Sequence, residues 1–216
     1  MSEGKEEKGI VLLYKAFFDL LVLSLIGILA SLPVFTLGVS LTALFRVIGR
    51  ILRKEDGYMW PEFWRAFKEN FCPSIGYSIF FTGVEALVVM NLYQIYKTGA
   101  SNLPLTVGFT ALAVLLLMLS LYVYALISRF SFRTISYLKI AFGTMLRYMG
   151  RTLLVLLVCV IYVALLIFCL PLGLAFTGLF LGLILLVLKP VFSSYEALIR
   201  KNNGEDVEEE TKPLEW

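Results

Sequence analysis

The sequence predicts an all-α fold: a polytopic membrane helix bundle of six transmembrane helices arranged as three hairpins, with cytoplasmic amphipathic connector helices. Three observations predict it. First, 59% of the 216 residues are hydrophobic and 16% are charged, at a mean hydropathy of +0.85. Soluble domains carry about 45–50% apolar and about 25% charged residues. One core cannot hide that excess, which excludes a soluble single-domain enzyme. Second, apolar stretches recur at membrane-crossing length, about 20 helical residues for a hydrocarbon layer of about 30 Å. Third, six crossings put every Lys and Arg of the 19 except Lys97 on one side. The positive-inside rule makes that side the cytoplasm, with both termini in it.

The first span covers 10–32. Its leader MSEGKEEKG is as acidic as it is basic, and no A-x-A-type site follows Ala30, so it reads as a retained span and not a signal peptide. Lys15 and Asp19 stand four residues apart, the spacing of an intrahelical ion pair. The run SLPVFTLG (Ser31–Gly38) ends this helix, because Pro33 cannot extend the hydrogen-bond ladder and Gly38 permits a turn. The second span, 38–53, is short and carries Arg46, Arg50 and Arg53 on one face. These arginines are expected to snorkel towards headgroups, the alternative being an anionic lipid or phosphorylated ligand. A re-entrant second segment would break the alternation at Gly57 and lose the charge asymmetry.

An interfacial helix is expected over about 61–71. Pro61 suits a first helical turn, and Phe63, Phe67 and Phe71 recur every four residues beside Trp60 and Trp64. Arg65, Lys68 and Glu69 take the other face, which is expected to point into the cytoplasm. Such a helix anchors in the membrane interface. Trp64, Arg65, Phe67 and Lys68 are also the candidate docking surface for a cytoplasmic partner. Pro73 opens the third span, 73–96; a polar turn leads to the fourth, 103–128. The second connector, with a helix over about 134–149, sets a stripe of Ile135, Leu138, Phe142, Met145 and Met149 against Arg133, Lys139, Arg147 and Arg151. Span five, 152–170, turns tightly at Pro171 and Gly173 into span six, 174–188. Pro190 is expected to kink or end that helix, and an amphipathic continuation runs to Lys201. Residues 202–216 are acidic and almost free of apolar mass, so disorder is expected there.

The absence of histidine excludes Ser-His-Asp and Cys-His nucleophiles, HExxH zinc sites and histidine-ligated haem. Three cysteines make no disulfide framework, and Cys159 and Cys169 fall about 15 Å apart on one helix. No glycine-rich phosphate loop, metal cluster or carboxylate pair is visible. No cofactor, no metal and no enzymatic activity are expected, and a net charge of +3 is too small to suggest nucleic acid.

Glu85 is the informative residue. It lies about 18 Å into the third span, near the bilayer midplane. An unpaired ionised side chain there costs at least about 2.5–3.5 kcal/mol, so Glu85 is protonated, paired, or facing a hydrated cavity. The functional reading is a proton or cation relay, or a substrate contact. The structural reading is a partner for a basic residue such as Arg46, or an interhelical hydrogen bond. Asn91 and Gln94 extend a polar face from it at imperfect helical spacing.

Weak internal repetition accompanies this plan. Ala66-Phe67 and Ala141-Phe142 stand 75 residues apart, each ahead of a span, and each external turn contains Leu-Pro: Leu32-Pro33, Leu103-Pro104 and Leu170-Pro171.

The stretch Ser31–Phe71 resembles the YesL family of bacterial membrane proteins, also called domain of unknown function 624. Ser31, Leu32, Pro33, Val34, Thr36 and Gly38 match its first block, and Asp56-Gly57 its acidic-Gly pair. Phe67, Lys68, Asn70 and Phe71 match its aromatic block, while Val39 stands where the family has proline. The resemblance implies an accessory role beside carbohydrate ABC importers and polysaccharide-degradation systems in Gram-positive bacteria, and it supplies no catalytic residues. The expected partners are the lipid bilayer and ABC importer subunits or another membrane protein. The expected function is thus a non-enzymatic membrane accessory protein of carbohydrate uptake or its regulation. The alternative is a small-solute carrier or solute-binding membrane subunit using Glu85, as in substrate-capture subunits of the energy-coupling type.

Overall fold

A computed structural model describes the backbone of residues 3–53, 58–98, 103–130 and 134–202, and side chains within 17–53, 58–97, 103–130 and 136–193. Lys15, Arg133, Ile135 and the acidic tail beyond 202 fall outside the described side chains, and with them the Lys15–Asp19 pair and the expected disorder. Among the described residues the fold is all helical: α1 (Glu3–Ala30), α2 (Leu37–Leu52), α3 (Met59–Thr98), α4 (Leu103–Ile127), α5 (Thr134–Arg147), α6 (Met149–Phe168), α7 (Leu170–Ala175) and α8 (Thr177–Asn202).

Within that set, four helical stretches are long and apolar enough to cross a membrane: Val34–Leu52, Met59–Lys97, Leu103–Ile127 and Met149–Phe168. The described apolar runs of α1 and α8, Phe17–Ala30 and Thr177–Ser193, are shorter.

The helix α2 is the hub, packed against α1, α3, α4 and α8. Val39, Ala43, Phe45, Val47 and Ile48 are buried on it, which explains how so short a segment tolerates three arginines on its remaining face. The turn before it closes through Thr36, whose hydroxyl lies 2.8 Å from the Ala30 carbonyl and 2.7 Å from that of Pro33. Leaving such carbonyls unpaired in an apolar setting is expensive, and the threonine covers the end of α1 locally.

Small residues and hydroxyls hold α2 to α3. The Gly38 N–H donates to Ser78 Oγ at 2.9 Å, and one turn along Ser74 Oγ meets Thr42 Oγ1 at 3.3 Å. Ser74 and Ser78, like Gly38 and Thr42, are four apart and buried, so the two backbones approach through small side chains. A Cβ on Gly38 would stand 2.5 Å from the Tyr124 ring, so this position is closed to larger residues. The α1–α8 contact follows the same rule: the Gly178 N–H donates to Ser24 Oγ at 2.7 Å, with the Leu20 carbonyl directly opposite.

Several sequence expectations are corrected. The separate interfacial helix over 61–71 and third span over 73–96 are one 40-residue helix, α3, running through Pro73. A proline removes one ladder donor, but apolar surroundings penalise further unwinding and packing against α2 holds both segments in line. The tight turn at Pro171 and Gly173 is a short helix, α7, because a proline is favoured in a first helical turn. Pro190 does not end α8, which continues to Asn202.

The α5 helix ends at Arg147, short of the expected 149, and Met149 opens α6; of the expected apolar stripe Leu138 and Phe142 are exposed on α5, Met145 packs against the core, and Tyr137, Ala141 and Thr144 form the packed face. Ala66 and Ala141, the alanines of the repeated Ala-Phe pairs, are both fully buried.

Candidate functional site

Two polar loci stand out among the described residues. The first lies at the end of the bundle where α2 finishes, α3 begins and α4 finishes. Arg46 and Arg50, one turn apart on α2, face Glu69 and Glu62 on the antiparallel start of α3. Arg46 Nη1 meets Glu69 Oε2 at 2.8 Å, and Arg50 pairs with Glu62. Arg65 reaches both acids, at 3.1 Å to Glu62 and 3.6 Å to Glu69. The pairing runs early-to-late across the hairpin, as an antiparallel turn requires. This network walls a cleft of ≈ 660 Å³, whose lining also includes Arg53, Arg129, Asn70 and Tyr137. The Arg129 guanidinium sits 5.4 Å over the Phe192 ring, a cation–π arrangement, and the Tyr137 hydroxyl donates to the Phe130 carbonyl at 2.7 Å.

These contacts correct two expectations. The α2 arginines are drawn into interhelical ion pairs and do not simply snorkel outward. The start of α3 also differs from a flat amphipathic anchor, since Phe63 is fully buried and Glu62 and Glu69 turn to α2. What remains on the outer surface is Trp64, Arg65 and Lys68, with Phe67 half-buried beside them. Trp64 packs edge-on against Phe67 at 5.7 Å and near Trp60 at 6.1 Å, so this surface is stiffened by aromatic contacts.

The second locus is internal. A cavity of ≈ 590 Å³ opens between α1, α2, α3, α4, α6, α7 and α8, and Glu85 contributes to its wall with Thr82, Ser120, Tyr124 and Tyr162. Ser120 Oγ lies 3.4 Å from Glu85 Oε1 and 3.0 Å from the Leu117 carbonyl. One hydroxyl proton serves one acceptor at a time, and 3.4 Å is long for an O–H···O bond, so the carboxyl is only loosely held. No Lys or Arg appears in this lining among the described residues. The expected alternative of an Arg46 partner is therefore corrected: Arg46 belongs to the other locus, paired with Glu69. Asn91 does not extend a track from Glu85 either; it is exposed, and its Nδ2 donates to Leu87 O of its own helix at 2.8 Å. Tyr124 stands between the cavity and the α2–α3 seam, hydrogen-bonded to Ser78 and edge-on to Phe81 at 6.2 Å.

Sequence reasoning missed Tyr124, Ser120, Arg129, Glu62 and Glu69 as site residues. A signal existed for the two acids, which lie seven residues apart, two helical turns, and so on one face of α3. No group of three or more His, Cys, Asp or Glu able to hold a metal occurs among the described residues.

Residues 16–92 match the model of the family described as Protein of unknown function, DUF624, the family that includes YesL, and this bears out the resemblance seen in Ser31–Phe71. No curated protein and no solved structure matches the chain.

Proposed function

We propose, from the DUF624 match over residues 16–92, that this chain is a non-enzymatic, multi-pass accessory protein of a bacterial cell membrane. It crosses six times, keeps both termini in the cytoplasm, and serves carbohydrate uptake by an ABC-type importer or the regulation of that uptake. The carbohydrate connection rests on the resemblance alone. The docking part is supported by one geometric observation: the start of α3 is clamped to α2 by the Arg–Glu network, while Trp64, Arg65 and Lys68 stay outward on the clamped helix. A clamped aromatic and basic surface suits partner binding, because little side-chain order remains to be imposed.

Affinity purification of the full chain from native membranes tests this reading. Importer or sensor subunits should co-purify with the parent chain and be lost from a Trp64→Ala/Lys68→Ala variant. Recovery of none, with unchanged sugar uptake in a deletion strain, removes it.

The Glu85 cavity favours a second reading, a small-solute carrier or solute-binding subunit. A loosely held carboxyl facing ≈ 590 Å³ has capacity left for a ligand. Glu85→Gln would then abolish uptake into proteoliposomes or shift its pH dependence, whereas unaltered transport assigns Glu85 a structural part.

A further inference from the structure

The internal cavity around Glu85 selects by charge. Its lining sets one carboxyl, that of Glu85, among hydroxyls and a majority of apolar side chains, and among the described residues it holds no Lys or Arg. The described bases that flank it along the chain are committed or distant. Arg46 is paired with Glu69, and Lys97 lies 12 residues, about 18 Å, beyond Glu85 on α3. Two bases whose side chains are not described are also remote along their helices. Lys15 stands 12 residues, about 18 Å, before Gly27 on α1, and Arg200 stands 16 residues, about 24 Å, past Ile184 on α8. An anionic ligand would therefore meet a carboxyl and no positive charge among the described residues.

Hydroxyl protons of the wall are largely spent. Ser31 Oγ donates to the Gly27 carbonyl at 2.7 Å, and Thr177 Oγ1 to that of Leu174 at 2.8 Å. With the threonine proton so placed, the 2.9 Å contact between Tyr162 and Thr177 takes its proton from Tyr162. A polyhydroxylated solute would leave many of its own polar groups unpaired here, which an apolar wall penalises. The Glu85 carboxyl is the exception, since Ser120 holds it only at 3.4 Å.

Size and wall chemistry narrow the ligand. At ≈ 590 Å³ the cavity falls among sites that take small organic ligands, about 300–1,000 Å³. Leu121, Val158 and Leu181 supply aliphatic wall, and the Tyr162 ring lies 5.0 Å from that of Phe180 in the same lining. Aromatic faces attract cations, and a carboxylate in apolar surroundings gains most from a cation that sheds little water on entry. We propose that this cavity binds a lipophilic organic monocation, its charge at Glu85 and its body along the aliphatic and aromatic wall. The proposal rests on the second reading above, that the cavity takes a solute, and names the class of that solute.

The test uses the purified full chain in a neutral detergent and equilibrium dialysis corrected against protein-free micelles. Three probes of similar bulk differ in charge: tetraphenylphosphonium, neutral triphenylphosphine oxide and anionic tetraphenylborate. Tetraphenylphosphonium should bind saturably and about tenfold or more tightly than either of the others. Glu85→Gln should remove that preference while unfolding at the parent's temperature, and Glu85→Asp, which keeps the charge, should retain it. If the Gln variant does not fold, the parent's preference among the three probes decides the matter. Equal or tighter binding of the oxide or the borate by the parent overturns the proposal and leaves the solute-binding reading standing. So does a folded Glu85→Gln variant that keeps the parent's preference. Saturable binding of none of the three removes the proposal and that reading together.

Discussion

Replacing Gly178 by alanine should separate α1 from α8, and the geometry sets the scale. A Cβ at this position stands 2.6 Å from the Leu20 carbonyl oxygen and 2.9 Å from Ser24 Oγ. The first of these is helix backbone, which cannot rotate away. Restoring ordinary contact, about 3.4 Å, needs a displacement of about 0.8 Å. The same displacement would stretch the Gly178 N–H···Ser24 Oγ bond from 2.7 Å towards the limit of hydrogen bonding. Overpacking costs about 1–3 kcal/mol, and a lost hydrogen bond between membrane helices adds about 0.6–1.7 kcal/mol. The expected destabilisation is therefore about 2–5 kcal/mol.

Reversible unfolding in mixed micelles, followed by circular dichroism, reads it. Ser24→Ala isolates the hydrogen bond and should cost about 1 kcal/mol. Gly143→Ala is the internal control: it sits in α5 with nothing within 4 Å of an added Cβ, so the better helix former should stabilise by up to about 1 kcal/mol. If Gly178→Ala unfolds within about 0.5 kcal/mol of the parent, the close approach of α1 and α8 is wrong.

Other outcomes follow from the same contacts. Glu62→Gln removes the charge that accepts from both Arg50 and Arg65 at a 15%-exposed side chain, so it should cost about 1–2 kcal/mol and lose part of that cost at high salt. Glu69→Gln, whose side chain is 46% exposed, should cost less in the same unfolding assay. Tyr122→Phe deletes a buried 3.0 Å contact to Thr152, whose hydroxyl keeps the Met145 and Tyr148 carbonyls within 3.2 Å; a loss of only about 0.5–1 kcal/mol is expected. In a cysteine-free background, Lys97→Cys should react with a membrane-impermeant maleimide on intact cells. Lys68→Cys should react only after permeabilisation, and the reverse pattern would refute the proposed orientation.

The helical class was legible because hydropathy reports length and composition, which a membrane constrains tightly. The extents of α4 and α5 followed from apolar run and amphipathic period. What could not be read depends on which helix lies against which. Arg46 and Glu69 are 23 residues apart, and only the antiparallel packing of α2 on α3 makes them neighbours. Phe63 shares a four-residue period with Phe71, yet one is buried and the other 39% exposed, since periodicity identifies a face and not its occupant. Pro73 marks a boundary by local rules, and packing on both sides of it overrides that boundary. The position of Glu85 in its helix was evident; its cavity required seven helices to be assembled around it.

Continuity through Pro73 also makes α3 a beam with a fulcrum. Glu62 lies 11 residues before the proline and Glu85 12 residues after it, giving arms of about 16 Å and 18 Å. The fulcrum is the proline inside α3, which has no N–H for the ladder, so bending concentrates there. A bend of about 5° with the α2-clamped arm held still carries Glu85 through about 1.6 Å, enough to break its long contact with Ser120. Ion pairs in the cleft and a carboxyl in the cavity are thus opposite ends of a single mechanical element.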